Sequence, residues 1–74
     1  MDENAIALAM AYSLQLADVN CEVLLVQDNK ISFLGLVVLV DKSWVLGYTY
    51  GKVDNKSALV NCNVLERYNP KDLL

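Results

Sequence analysis

The sequence has no histidine, and other residues that carry chemistry are scarce. Its 74 residues include two cysteines, three glycines and one proline. Neither cysteine has a recognisable partner residue that could act as its base. The sequence also contains no phosphate-binding loop and no metal-ligand spacing. Cys21 and Cys62 also lack the CxxC spacing of a redox pair, which predicts two buried, reduced, structural thiols. The composition therefore favours a protein that is not an enzyme and that holds no metal or cofactor.

Charged residues are few, and basic residues are fewer than acidic ones. Six Lys and Arg stand against nine Asp and Glu, so the net charge is −3 and the pI is about 4.5. Non-specific binding to nucleic acid depends on neutralising phosphates, which an acidic protein does poorly. Any nucleic-acid site in this chain must therefore be local and built from a few placed side chains.

Apolar residues are abundant, at 55% of the chain, and the mean hydropathy is +0.31. A domain this small has a large surface for its volume, so a monomer would leave much apolar surface in water. Burial against identical copies removes that exposure. No repeat, linker or low-complexity stretch divides the chain. The sequence predicts a single domain, residues 1–74, that forms a homo-oligomer.

The longest apolar run is ISFLGLVVLV, residues 31–40. It is about half of the roughly 20 residues that a membrane-spanning helix needs, and Asp41 and Lys42 end it. The chain begins MDE and lacks the basic start of a secretion signal. We therefore expect no membrane association and a cytoplasmic location. Two interpretations of the run stay open: a strand buried on both faces, and a strand that completes its burial against another copy.

The residue pattern predicts a helix followed by strands. Helix-favouring residues fill 2–17, where one face holds Ile6, Met10, Leu14 and Ala17. Strands are predicted at 21–27, 31–40 and 44–50. Residues 58–68 are predicted to form two further short strands with a break near 61–63. Turns at 28–30 and 41–43 and a polar loop at 51–57 connect these elements.

Gly35 lies inside the second predicted strand and indicates a bend there. A strand bent midway can serve both sheets of a small barrel. The predicted fold class is mainly β, with an N-terminal helix at 1–18, a five-stranded, strongly bent SH3-like barrel at 19–69, and a C-terminal tail at 70–74.

Part of this pattern resembles the first signature of the Sm/LSm/Hfq family. The residues are Phe33-x-Gly35-x-Val37-x-x-Val40-Asp41-x-x-Trp44, where a Gly in the bent second strand precedes by six positions an Asp that opens the next loop. The stretch Val60-Asn61-Cys62-Asn63-Val64-Leu65, followed by Pro70, lies where the family has its second signature. Sm-like subunits close into rings, in which the fourth strand of one subunit pairs with the fifth strand of the next. The resemblance implies such a ring here.

The resemblance also implies a nucleic-acid site at the pore of the ring. Lys42 and Ser43 fall in one pore loop, and Asn61 and Asn63 fall in the other; Lys contacts phosphate, while amides read base edges and hydroxyls. Trp44 would stack a base from the first loop, the alternative being an aromatic buried at an interface. From the residues alone, 41–43 is an ordinary turn and the Asn residues are turn formers.

A second face is implied by the position of Lys30, Ile31 and Phe33, where Hfq-like proteins bind purines; the alternative for Phe33 is a core residue. The sequence departs from the family in both loops. Ser43 and Val45 occupy the slots of the usual stacking aromatic or His and of the following Asn. Asn61-Cys62-Asn63 replaces the usual Arg-Gly or Lys-His.

Two functions follow as expectations. The first is an Sm-like ring that binds single-stranded nucleic acid, RNA rather than DNA, at its pore loops and serves RNA handling or processing. The alternative is a structural or protein-interaction ring or adaptor that binds a protein partner and no nucleic acid. Its distinguishing features are the acidic net charge and the missing stacking residue.

Overall fold

The computed structural model describes residues 3–30, 32–47, 51–54, 59–60 and 62–73. A helix, α1 (Glu3–Leu16), is followed by strands β1 (Cys21–Asp28), β2 (Phe33–Val40), β3 (Trp44–Gly47), β4 (Gly51–Asp54) and β5 (Cys62–Tyr68), and by a 3-10 helix, Pro70–Leu73. The prediction of a mainly β chain with an N-terminal helix is therefore confirmed. The predicted tail at 70–74 is helical over four of its residues.

α1 ends in a Schellman motif. The Val19 N–H donates to the Leu14 carbonyl at 2.9 Å, and the Asp18 N–H donates to the Gln15 carbonyl at 3.1 Å. Asp18 has a φ of 60°, in the left-handed region where glycine is usual and Asp is tolerated. This turn satisfies the last carbonyls of the helix and directs the chain into β1.

The strands form one antiparallel sheet in the order β4-β3-β2-β1-β5. β1 and β2 pair along their whole lengths, from Cys21 opposite Val40 to Asp28 opposite Phe33. A register shift between Leu25 and Val26 marks an irregularity where β1 pairs with β5. Across the described residues the sheet is open, and β4 and β5 are its two edges.

The two faces of the β1–β2 hairpin are covered by different elements and to different degrees. One face forms an inner core with β3, made of Leu24, Val26, Phe33, Val37, Leu39 and Val45, on which Leu59 and Val64 pack. The other face packs against α1, through Cys21, Val23 and Val38. One face of β2 is thus buried within the chain, whereas the other face holds the buried Val38, the partly buried Leu36 and Val40, and Leu34 at 62% exposure. The apolar run is therefore only partly covered within one chain.

α1 approaches the sheet through its smallest side chains. Ala7 and Ala11 are almost fully buried, whereas Met10 and Leu14, two members of the predicted shared face, pack against the same cluster as partly buried residues. At the start of the helix, the Asn4 Oδ1 accepts a hydrogen bond from the Leu36 N–H of β2 at 3.0 Å. Gly35 leaves the space for this contact, because a Cβ there would lie 2.9 Å from the same oxygen. Short side chains at the contact thus allow close packing.

The region after β3 differs from the sequence prediction. Residues 51–57 were predicted to be a polar loop, but Gly51–Asp54 is β4 and pairs with β3. The predicted strand at 58–60 is wrong where it is described, since Leu59 and Val60 are in a helical turn. Cys62 and Asn63, predicted to break the last strand, lie inside β5. A polar composition does not prevent an edge strand, because only one side of its backbone needs a partner strand.

We expect Gly35→Ala to lower the free energy of unfolding by about 1–3 kcal/mol, a typical cost of overpacking. The added methyl would meet the Asn4 Oδ1 at 2.9 Å and the Phe33 Cζ at 3.0 Å. Asn4 cannot withdraw without losing its hydrogen bond to Leu36. Urea unfolding of both proteins measures the difference.

A double-mutant cycle tests whether the Asn4 side chain is what opposes a methyl group at position 35. In an Asn4→Ala background the cost of Gly35→Ala should be smaller than in the natural sequence, because the clashing oxygen is absent. Leu34→Ala, at the exposed neighbour of Gly35, is the control and should change stability by less than about 0.5 kcal/mol. Purely additive costs at positions 4 and 35 would show that Asn4 does not restrict the site.

Candidate nucleic-acid interface

The turn between β2 and β3 has an unusual backbone. Asp41 and Lys42 both adopt left-handed conformations, with φ of 53° and 62°. The Ser43 N–H donates to the Val40 carbonyl at 3.0 Å and closes the turn, as in the type I′ turns of β-hairpins. Such turns favour Asn and Gly, so a lysine here is held in a conformation that costs about 1–2 kcal/mol. Strained backbone of this kind concentrates at functional sites.

A contact from outside the hairpin fixes the turn. The Asp41 N–H donates to the carbonyl of Asn20, just before β1, at 2.8 Å. The Ser43 hydroxyl donates to the Asp41 carbonyl at 3.3 Å. Sequence reasoning recognised the turn from its Asp-Lys-Ser composition but missed the role of Asn20. Nothing in the sequence signals a backbone contact of this kind.

Three predicted site residues are adjacent on this turn. Lys42 and Ser43 are exposed, and Trp44, the first residue of β3, is 43% exposed. Trp44 lies opposite Val40 of β2 and Asp54 of β4. A cation, a hydroxyl and an aromatic surface therefore share one end of the sheet. Together they can contact a phosphate, accept or donate a hydrogen bond, and stack a base.

The other predicted residues lie at the opposite end of β2. Lys30 is exposed in the β1–β2 turn, and its N–H donates to the Oδ1 of the buried Asp28 at 3.0 Å. Asn63 is exposed on β5 opposite Gln27. Phe33 is only 6% exposed and belongs to the inner core. Its position fits the core interpretation and not that of a surface stacking platform.

The predicted residues thus form two groups within one chain. Lys42, Ser43 and Trp44 are separated from Lys30 and Asn63 by the eight residues of β2, about 26 Å of extended chain. Asn61, the remaining predicted contact, lies outside the described residues. Within one subunit, the structure does not bring Asn63 beside Lys42, as a shared pore site would require.

Other kinds of site find little support in the described part of the chain. Across its described ranges, no three His, Cys, Asp or Glu side chains are grouped so that they could hold a metal ion. None of the described helices is long and apolar enough to cross a membrane. The Arg67–Glu22 ion pair, at 3.3 Å, is solvent-exposed and contributes little to stability.

Comparison with protein-family models, with curated proteins and with solved structures gave no match. The resemblance to the Sm/LSm/Hfq family rests on the quoted residues alone. The function of the chain must therefore be argued from its own geometry.

The two cysteines should differ in reactivity. Burial raises the pKa of the Cys21 thiol above its usual value, and its Sγ contacts the Ala11 carbonyl at 3.9 Å. A raised pKa leaves less thiolate at a given pH, and only the thiolate attacks an alkylating reagent. We expect iodoacetamide at pH 8 to modify the half-buried Cys62 before Cys21 in the folded protein. Peptide mass mapping after short exposures measures both rates.

Unfolding in guanidinium should remove this difference, because both thiols then face water. Rapid modification of Cys21 in the folded protein would contradict its buried position. It would also show that α1 separates from the sheet on the timescale of the labelling.

Proposed function

We propose that this protein is a subunit of an Sm-like ring that binds single-stranded nucleic acid, RNA rather than DNA, and serves RNA handling. The observation that carries the proposal is the turn at 41–44. It presents Lys42, Ser43 and the partly exposed Trp44 side by side at one end of the sheet. An aromatic face beside a cation is the combination that binds unpaired nucleotides without a large basic surface.

The acidic net charge of −3 limits how this binding works. The sequence contains only six Lys and Arg, so one subunit makes few phosphate contacts. A ring repeats the turn once per subunit, and repeated weak contacts along one strand gain affinity through effective concentration. The salt dependence should be shallow, because its slope follows the number of neutralised phosphates.

The strand order supports the ring. β4 and β5 are the two edges of the sheet, and these are the strands that pair between subunits in the family that the sequence resembles. Such pairing would satisfy both edges, which otherwise invite aggregation. It would also place β5 of the next subunit two strands away from β3, about 10 Å across the sheet. Asn63 of one subunit and Trp44 of another would then share one site across the subunit boundary.

The second candidate is a structural or protein-interaction ring or adaptor without nucleic-acid binding. The acidic charge favours it, as do exposed large apolar side chains, which mark protein contacts when they are grouped. Both candidates predict assembly. Only the first predicts that the 41–44 turn binds nucleotides.

Fluorescence anisotropy with short oligo(U), oligo(A) and a matched DNA strand tests the proposal. We expect saturable binding with a preference for one RNA, and we expect Trp44→Ala to weaken it by about 1–3 kcal/mol, the usual value of one stacked base. Tyr12→Leu is the matched control, because Tyr12 is an equally exposed aromatic residue on α1 with no cation beside it in sequence. Absence of binding at low salt would favour the second candidate.

Lys42→Gly should separate binding from folding. Glycine relieves the left-handed conformation at a cost of unfolded-state entropy, so stability should stay equal or rise by up to about 1 kcal/mol. Affinity for the oligonucleotide should fall, because the cation is lost. Lys42→Ala is the control that loses the same charge but keeps the strain, and it should be less stable than Lys42→Gly.

Thermal unfolding and anisotropy on the same samples measure the two effects. Unchanged affinity in both variants would remove Lys42 from the binding site. A lower melting temperature for Lys42→Gly than for Lys42→Ala would contradict the left-handed conformation on which the argument rests.

A further inference from the structure

A polar groove of about 220 Å³ lies where the end of α1, the start of β1 and the C-terminal 3-10 helix meet. Its polar lining provides three amides, one carboxylate and one ammonium group, from Gln15, Asn20, Asn69, Asp18 and Lys71. None of these residues was predicted to belong to a site. What the groove can bind depends on its own chemistry and on its position relative to the candidate site.

Backbone contacts place the groove close to Trp44. The carbonyl of Asn20 accepts the Asp41 N–H at 2.8 Å, so the groove is joined directly to the turn before β3. Asn20 is followed by Cys21, which lies opposite Val40 of β2. Val40 also lies opposite Trp44 of β3. Since β1, β2 and β3 are neighbouring strands, two strand spacings, about 10 Å, separate the start of β1 from Trp44.

The groove and Trp44 also lie on the same side of the sheet. Val45 belongs to the inner core, and side chains alternate along a strand, so Trp44 projects from the face on which α1 packs. Cys21, which borders the groove, packs against α1 on that face. A nucleic-acid strand whose base stacks on Trp44 can therefore continue into the groove without crossing the sheet.

The lining of the groove has hydrogen-bonding groups to offer a ligand. The Asn69 Oδ1 accepts the Lys71 N–H at 3.0 Å, and the buried Pro70 lies between them, so this part of the backbone is held in place. Within the described chain, the side chains of Gln15, Asn20 and Lys71 take part in no hydrogen bond or ion pair. Two amides and one ammonium group are thus available on a fixed backbone.

We propose that this groove binds the ribose next to the base that stacks on Trp44, and thereby selects RNA over DNA. The inference rests on the proposed function and adds specificity-determining residues to it. The Asp18 carboxylate accepts a hydrogen bond from a sugar hydroxyl, as acidic residues do in dinucleotide-binding sites. The amides of Asn20 and Asn69 donate to or accept from the same hydroxyls, and Lys71 contacts the adjoining phosphate. The 2′-hydroxyl is the group that distinguishes RNA from DNA.

The composition of the lining favours a sugar over the other parts of a nucleotide. A phosphate site would gather cations, whereas here one carboxylate accompanies one ammonium group. A base site would offer an aromatic face for stacking, and the apolar lining residues are only Val19 and the buried Cys21. Amides and a carboxylate are suited to hydroxyl groups.

Matched oligonucleotides test the ribose site. Oligo(U) and oligo(A) are each compared by fluorescence anisotropy with the deoxy strand of the same bases, so that only the 2′-hydroxyl differs. The natural protein should bind the ribose strand more tightly. Asp18→Gly should lower this ribose-to-deoxy ratio of affinities by about 3- to 10-fold, the usual effect of one hydrogen bond. Glycine suits the left-handed conformation at position 18, where φ is 60°, so the end of α1 should be retained.

Three further variants separate the contributions of the lining. Asn20→Ala removes the amide but keeps the carbonyl that binds Asp41, and it should also lower the ratio. Lys71→Ala should weaken both strands equally and reduce the salt slope by about 0.7, the value for one phosphate on a single strand. Asp72→Ala is the matched control, because Asp72 is an exposed carboxylate beside Lys71 and does not line the groove. It should leave the ratio unchanged, and circular dichroism checks that each variant keeps α1.

The outcomes distinguish this inference from the proposed function. If ribose and deoxy strands bind equally well, or if Asp18→Gly and Asn20→Ala both leave the ratio unchanged, the groove does not bind ribose. An equal fall in the ratio for Asp72→Ala would also overturn the inference, because the lost charge alone would then explain the effect. In each of these cases, binding that Trp44→Ala weakens would leave the proposed function standing. Absence of all oligonucleotide binding by the natural protein would overturn both.

Discussion

α1 lies close against β2, and the rest of the structure depends on this contact. Ala7 and Ala11 bring the helix backbone near the sheet, and the Asn4 side chain supplies a hydrogen-bond acceptor to the Leu36 N–H. Among the described residues, β2 pairs with β3 at residues 38–40, and this N–H lies outside that stretch. The helix therefore does two things at once. It packs against one apolar face of the hairpin and accepts a hydrogen bond from the backbone of β2.

Close packing on one face explains where apolar surface remains. The β1–β2 hairpin packs against α1 on one side and contributes to the inner core on the other. Among the described residues, large apolar side chains remain exposed on α1, at Leu34 of β2, at Trp44 of β3, and at Val60 and Leu65. Part of the hydrophobic surplus of the composition therefore stays at the surface of this chain.

The sequence predicted the elements whose patterns are local. The helix, the two hairpin turns and the apolar second strand all follow from residue type and spacing. The predicted shared face of α1 included Met10 and Leu14, and both side chains pack against the core as partly buried residues. The structure adds Ala7 and Ala11 as the buried residues of the helix, which their small size did not signal in the sequence. The sequence analysis missed β4 because residues 51–54, GKVD, lack the alternating apolar pattern by which a strand is recognised, although they pair with β3.

In the candidate site, too, the sequence predicted local features and missed features that depend on distant contacts. Sequence reasoning identified Lys42, Ser43 and Trp44 as neighbours on one turn, and the structure places them together at one end of the sheet. It did not predict that Asp41 and Lys42 are both left-handed, nor that the Asp41 N–H donates to the Asn20 carbonyl. A Gly at position 42 would adopt this conformation without strain. The chain instead keeps a lysine in a costly conformation beside its partly exposed tryptophan.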